Sequence, residues 1–210
     1  VYVGRLINGE KIVIKVKRSN IEQIIRSDVM IMKDLAKILE KNYEAAKRMN
    51  LNQLINSFEN NMNRELSLTN EFHNIEKFRK NFETRPEVYI PTTYKELSNN
   101  NILTMEFIEG FKVNNKEKIL ELGMLPKDVA QMGVVLFMKM VLEDGFFHAD
   151  PHPGNVFIMN DKKVCFIDFG SMGQIMKSDM EVLESIIENF LLQDAKKIIR
   201  LIKRLAIEYH

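Results

Sequence analysis

Apolar positions change period several times along this chain, and each change marks an element. Residues 1–7 and 11–17 are rich in β-branched side chains and flank Asn8-Gly9, a strong hairpin signal. Over residues 21–39 the apolar positions Ile21, Ile24, Ile25, Val29, Ile31, Met32, Leu35, Ile38 and Leu39 recur three and four apart, predicting an amphipathic helix. The same spacing over residues 51–82, from Leu51 through Phe58 and Phe72 to Phe78, predicts a second, longer helix among asparagines read as polar surface. Short strands follow at residues 88–90 and 102–108, separated by a turn at Asn99-Asn100-Asn101, and Gly110 closes that segment. Pro126 opens a helix to about Glu143 that is apolar on nearly every face, the pattern of a buried helix. A polar loop over residues 146–155 leads to strands 156–159 and 163–167, joined at Asn160-Asp161. The remainder is helical: Ser178-x-x-Glu181 has capping-box spacing, and Asp194 is placed to cap a last helix to about Ala206.

No internal repeat is present. The order predicts an α+β fold in two lobes, residues 1–110 forming a small N-terminal lobe and residues 111–210 a helical C-terminal lobe.

Composition narrows the class. The 210 residues carry 30 Lys+Arg against 29 Asp+Glu, a net charge of +1, which disfavours nucleic acid as a partner. Hydrophobic residues at 45% and charged residues at 28% are the proportions of a globular chain. A single cysteine, Cys165, excludes a disulfide framework and any multi-thiolate metal site. The longest apolar run, residues 133–142, is short of a membrane span and contains Lys139. The chain opens on strand-like residues with neither a signal peptide nor an initiator methionine, so it reads as an excerpt of a longer protein.

The chemistry concentrates in residues 148–170. In His148-Ala149-Asp150-Pro151-His152-Pro153-Gly154-Asn155, four residues separate Asp150 from Asn155, the catalytic-loop spacing of kinase-like phosphotransferases. Asp168-Phe169-Gly170 follows directly after an apolar strand. Phosphoryl transfer needs one carboxylate at the nucleophile's proton, with an amide oxygen and a second carboxylate on Mg²⁺. Asp150 fits the first role, Asn155 and Asp168 the metal-ligand roles. His148 and His152 flank Asp150, but two prolines and a glycine break the helix a zinc pair would use. They are read as structural, His148 bracing the loop.

Lys15 lies in the apolar run Ile12-Val13-Ile14-Lys15-Val16, on a strand read as buried on both faces, where a lysine is costly without an anion. It is assigned to the α/β-phosphates of a nucleotide, paired with a glutamate of the second helix. Glu71 is the first choice, then Glu65; Glu76 is the third candidate. Met105-Glu106-Phe107-Ile108-Glu109-Gly110 sits where an inter-lobe hinge belongs. Backbone groups of Met105, Glu106, Phe107 and Ile108 are assigned to an adenine ring, with Met105 flanking the pocket. No G-x-G-x-x-G loop and no Ala-Pro-Glu segment is present, which disfavours protein phosphorylation.

Residues 145–155 and Phe166-Ile167-Asp168-Phe169-Gly170 together resemble the UbiB/AarF family of atypical protein-kinase-like proteins. Residues 1–17, with Ile14-Lys15-Val16, resemble its early strands, and residues 65–74, with Glu71 and Asn74, its glutamate-bearing helix. The resemblance runs to about Gly173. It implies a protein-kinase-like fold with helices inserted before the glutamate helix, and ATP and Mg²⁺ as cofactors. It implies an ATPase or small-molecule kinase supporting ubiquinone or other prenyl-lipid synthesis. It also implies quinone-pathway partners and a cytoplasmic location, peripheral to or anchored at the inner face of a membrane by segments outside this chain. The family's alanine-rich nucleotide loop and its Lys-x-Gly-Gln element would precede Val1. Its Glu-x-Asp motif reads Glu65-Leu66-Ser67 here. The rival readings are a small-molecule kinase of the aminoglycoside and choline kinase type and a nucleotide-binding pseudokinase scaffold.

Overall fold

The structure, a computed structural model, describes residues 1–208, with side chains to Arg204. It is 53% helix and 17% strand and divides into two compact units. Unit 1 comprises residues 1–80, 88–109 and 165–171; unit 2 comprises residues 81–87, 110–164 and 172–208.

Unit 1 opens with the hairpin of β1 (Tyr2–Arg5) and β2 (Lys11–Val16). Gly9 takes φ +91°, a left-handed conformation that glycine adopts without steric cost. β2 is central in an antiparallel sheet β1-β2-β4, with β4 spanning Ile102–Glu106. The register sets Lys15 opposite Leu103 and Ile12 opposite Glu106. The strand is less enclosed than expected. Ile12 is buried, Ile14 and Lys15 are half-buried, and Val16, at the end of the strand, is exposed.

The amphipathic stretch becomes α1 (Ile21–Asn42), followed by the short α2 (Glu44–Arg48), which periodicity did not signal. The single helix expected over residues 51–82 is two: α3 (Leu51–Glu65) and α4 (Leu68–Asn81). The break is chemical. Ser67 leaves the helix and its Oγ accepts the backbone N–H of Asn70 at 3.2 Å, capping α4 from a position that periodicity counts as interior. Phe78 and Ile75 of α4, with Leu103 of β4 and Phe169, are completely buried and form the centre of this unit's core.

β3 (Val88–Tyr89) precedes the Asn99 turn, where Asn99 Oδ1 accepts the N–H groups of Asn101 and Ile102.

In unit 2, Gly110 does more than close a segment: it begins β5 (Gly110–Lys112), antiparallel to β7 (Val156–Met159). The approach there is close, since a Cβ on Gly110 would lie 2.7 Å from the carbonyl oxygen of Ile158. α5 (Lys116–Glu121) and α6 (Pro126–Met138) follow, and α6 runs on through a π-helical turn, Lys139–Glu143. The expectation of a wholly buried helix fails. Val129, Leu136 and Met140 are buried, whereas Val134, Val135 and Phe137 are exposed. Lys139 is buried at the turn and satisfied by Asp144 at 2.6 Å, the carbonyl of Asn81 and the Phe82 ring.

The loop expected from residue 146 begins instead as β6 (Phe146–His148), paired with β9 (Met172–Gln174). β8 (Val164–Phe166) carries the chain from unit 2 into unit 1. α7 (Lys177–Leu191) begins one residue before Ser178, which lies inside the helix and caps nothing, so the capping box is absent. Asp194 caps α8 (Ala195–Glu208) through the N–H of Lys197, at 3.0 Å. Among the described residues no helix is long and apolar enough to cross a membrane.

Candidate active site

Three of the residues assigned to nucleotide chemistry meet inside unit 1. Lys15, on the central strand, reaches Glu71 of α4, with Nζ 2.5 Å from Oε1. The side chains are only 16% and 4% exposed, so the charges are mutually required. Asp168 Oδ2 lies 3.6 Å from the same ammonium. Neither of the other two glutamates takes this place. Glu76 is held by Thr93 and Arg79, and Glu65 is exposed on the last turn of α3. Burial works to raise the Glu76 carboxyl, but hydrogen bonds from Thr93 and Arg79 and the Arg79 charge outweigh it and hold it low.

Glu71 has a second task. The same Oε1 accepts the backbone N–H of Phe169 at 3.1 Å, and Asn74, one turn along α4, donates Nδ2–H to the Phe169 carbonyl at 2.8 Å. The Phe169 ring is completely buried against Phe78, with centroids 5.1 Å apart and edge to face. Asp-Phe-Gly is therefore fastened to α4 at its backbone and at its ring. Asp168 keeps an outward carboxylate, 47% exposed, whose Oδ1 accepts the N–H of Gly170 at 3.0 Å. Hard carboxylate oxygens beside a lysine are a donor set that suits Mg²⁺ and phosphate.

The segment assigned to adenine also lies in unit 1. Met105 is 3% exposed, so it offers a packed wall rather than a free thioether. Two of the backbone donors are already engaged: Glu106 N–H goes to the Thr92 carbonyl at 2.8 Å and Phe107 N–H to the Lys11 carbonyl at 3.1 Å. The N–H of Ile108 has no acceptor among the described residues, which makes it the donor this stretch can offer a ring nitrogen.

The Glu106 side chain turns the other way. Tyr89 Oη lies 2.8 and 2.9 Å from its two oxygens, and Thr92 N–H reaches Oε2 at 3.0 Å. Nothing in the sequence pattern signalled this lock. Burial, then the Glu106 carboxylate, pushes the Tyr89 hydroxyl from 10.0 up to about 12. Burial likewise pushes the neighbouring Cys165 thiol up, with Glu106 adding to it, so the thiol stays protonated and unreactive.

A pH prediction follows. The Tyr89 pKa is higher folded than unfolded, so its contribution is complete below about pH 10 and is lost as pH rises through about 12. Tyr89→Phe should cost about 1 kcal/mol at neutral pH and flatten the decline of Tm between pH 10 and 12. An unchanged decline in the variant would show that other groups set it.

Asp150 and Asn155 belong to unit 2. Asp150 is exposed, and its N–H donates to His148 Nδ1 at 3.2 Å, so His148, 1% exposed, braces the loop from beneath. Asn155 Nδ2 donates to the Asp150 carbonyl at 3.2 Å, closing the loop and leaving its amide oxygen uncommitted to that bond. His152 Nδ1 accepts the N–H of Gly154 at 2.9 Å, a local turn contact.

A sheet lysine paired with a helix glutamate, an Asp-Phe-Gly anchored by its buried phenylalanine, and a braced Asp150–Asn155 loop are each kinase-like features, and comparison extends the likeness over most of the chain. Residues 1–202 match the ABC1 atypical kinase-like domain. The chain belongs to this family.

Among its relatives, an uncharacterized Synechocystis protein, slr1919, is 35% identical over 194 residues, covering 92% of this chain and 34% of that protein. A probable protein kinase UbiB of Marinobacter nauticus is 33% identical over 205 residues, covering 96% of this chain and 38% of the relative. The UbiB of Pseudomonas aeruginosa matches with the same identity and coverage. The chain thus spans about a third of the length of these relatives. Among solved structures, Rv3197 of Mycobacterium tuberculosis, determined in complex with erythromycin, aligns with a TM-score of 0.73. At 18% identity it covers 96% of this chain and 50% of its own, which supports the ABC1 kinase-like fold.

Proposed function

We propose that this chain is the nucleotide-handling part of an ATP- and Mg²⁺-dependent atypical kinase or ATPase of the UbiB type, acting in quinone or other prenyl-lipid biosynthesis rather than on proteins. The observation that carries the reading is the convergence of Lys15, Glu71 and Asp168, with Lys15 Nζ within 3.6 Å of both carboxylates. The pathway assignment rests on the resemblance of residues 145–155 and 166–170 to the UbiB/AarF family.

In this reading Lys15 holds the α- and β-phosphates, and Glu71 keeps its ammonium aimed while neutralising it in the free protein. Asp168 would serve as a Mg²⁺ ligand, and Asn155 is assigned a ligand role by its spacing; the metal, when bound, would neutralise charge on the phosphates. Asp150 orients or accepts the proton of the attacking hydroxyl or water. Glu106 and Ile108 present backbone groups to adenine, and Met105 walls the ring. The roles of Asp150 and Asn155 rest on their spacing and on the braced loop.

The test is nucleotide binding by calorimetry with and without Mg²⁺, beside a hydrolysis assay, on wild type and Asp168→Asn. Wild type should bind more tightly with Mg²⁺, and Asp168→Asn should lose about tenfold or more of that gain, at least ~1.4 kcal/mol. Equal binding with and without metal in both proteins would overturn the metal assignment. Binding without turnover in the wild type would favour the scaffold reading.

A further inference from the structure

The contact between Asn74 and Phe169 has a consequence beyond holding the backbone. The Phe169 carbonyl that accepts from Asn74 and the Gly170 N–H that donates to Asp168 Oδ1 belong to one peptide unit. A trans peptide is planar, and its C=O and N–H point in opposite directions. Fixing the carbonyl at 2.8 Å from Asn74 Nδ2 therefore aims the N–H at the Asp168 carboxylate, 3.0 Å away. Glu71 Oε1 holds the preceding peptide by the Phe169 N–H, so Asp168 is bounded by two fixed peptide planes.

Gly170 is what makes the second plane dependent on Asn74. Rotation of a peptide next to glycine meets little steric resistance. A Cβ at Gly170 would also stand 3.3 Å from Asp168 Oδ1, crowding the oxygen the N–H must reach. Without the Asn74 amide, the carbonyl loses this hydrogen bond in a half-buried site.

We infer that Asn74 is a positioning residue for Asp168: through the Phe169–Gly170 peptide it sets the direction of the carboxylate that receives the metal ion. This deepens the reading above, since it rests on Asp168 being a ligand of nucleotide-bound Mg²⁺. Outer partners that aim metal-ligating carboxylates are worth about 10–100-fold in metal affinity. One face of α4 thus serves two ends: Glu71 neutralises Lys15 and Asn74 aims Asp168.

The experiment uses ATP and MgCl₂ as probes and compares wild type with Asn74→Ala, Asn74→Asp and Gly170→Ala. The Mg²⁺ concentration giving half of the metal-dependent gain in ATP affinity is the quantity read, alongside metal-free ATP affinity and Tm. Asn74→Asp is nearly isosteric but cannot donate to a carbonyl, so it should match or exceed the defect of Asn74→Ala. Both should raise the Mg²⁺ midpoint about 10–100-fold, while metal-free affinity stays within about twofold. Gly170→Ala, which disturbs the same relay from its other end, should raise the midpoint too. A wild-type midpoint in both Asn74 variants, or an equal loss of metal-free and metal-dependent binding, overturns the positioning role. A wild type that binds ATP with no metal dependence overturns the functional reading itself and the inference with it.

Discussion

Glu71→Ala is expected to lower the stability of the folded chain by about 3–5 kcal/mol, a loss far larger than an exposed ion pair would give. The variant strands two groups at once. Lys15 Nζ loses its 2.5 Å partner while remaining 16% exposed, and the Phe169 N–H loses its acceptor. Asp168, 3.6 Å from the ammonium, offers partial compensation and places the expectation toward the lower end. The double variant Lys15→Met, Glu71→Leu removes the unpaired charge and should recover most of the loss, because a buried pair contributes little net stability over apolar residues of similar size. Denaturant unfolding of the three proteins decides the matter. A single-variant loss below about 1 kcal/mol would mean that the pair is hydrated and that its geometry does not enforce the charge balance argued above.

Phe78→Ala carries the second large effect. Its ring is fully buried, 5.4 Å from Phe166 and 5.1 Å from Phe169, edge to face with both. Truncation removes the apolar area and leaves a cavity bounded by the ring of Asp-Phe-Gly, a cost of about 3–5 kcal/mol. For a chain of this size that corresponds to a fall in Tm of roughly 6–20 °C. Leu54→Ala, at a position on α3 that is 55% exposed, is the control and should stay within about 0.5 kcal/mol. If the two variants melt alike, Phe78 is not the keystone of this core.

The elements most legible in the sequence are those whose signals are local. Asn8-Gly9 marked the hairpin, Pro126 the start of α6, and Asp194 the cap of α8, since each acts within a few residues of itself. The boundaries that were misplaced share a cause: a side chain choosing a partner the periodicity does not encode. Ser67 broke one long helix into α3 and α4 by capping Asn70. β5 and β6 were missed because three-residue strands exist only through their partners β7 and β9. α6 read as buried throughout because apolar count reports hydrophobicity, whereas exposure depends on what packs against each face.

The candidate site divides the same way. Motif spacing supplied Asp150, Asn155 and Asp168, and an apolar strand with one lysine supplied Lys15. The choice among Glu65, Glu71 and Glu76 could be ordered from the sequence but not decided by it.

What the sequence alone determined, then, is the inventory: which residue types lie on which strands, helices and loops, in an order that matches the ABC1 atypical kinase-like domain over residues 1–202. Tertiary structure decided the pairings. It selected Glu71 for Lys15 across 56 positions, gave Glu106 to Tyr89, left the Ile108 N–H as the donor on its stretch, and set Asn74 on the Phe169 carbonyl across 95 positions. The physical reason is that periodicity and capping are set by neighbours in the chain. Which buried charge or amide meets which partner is set by the packing of Phe78, Phe169 and Leu103, whose contacts join residues far apart in the chain.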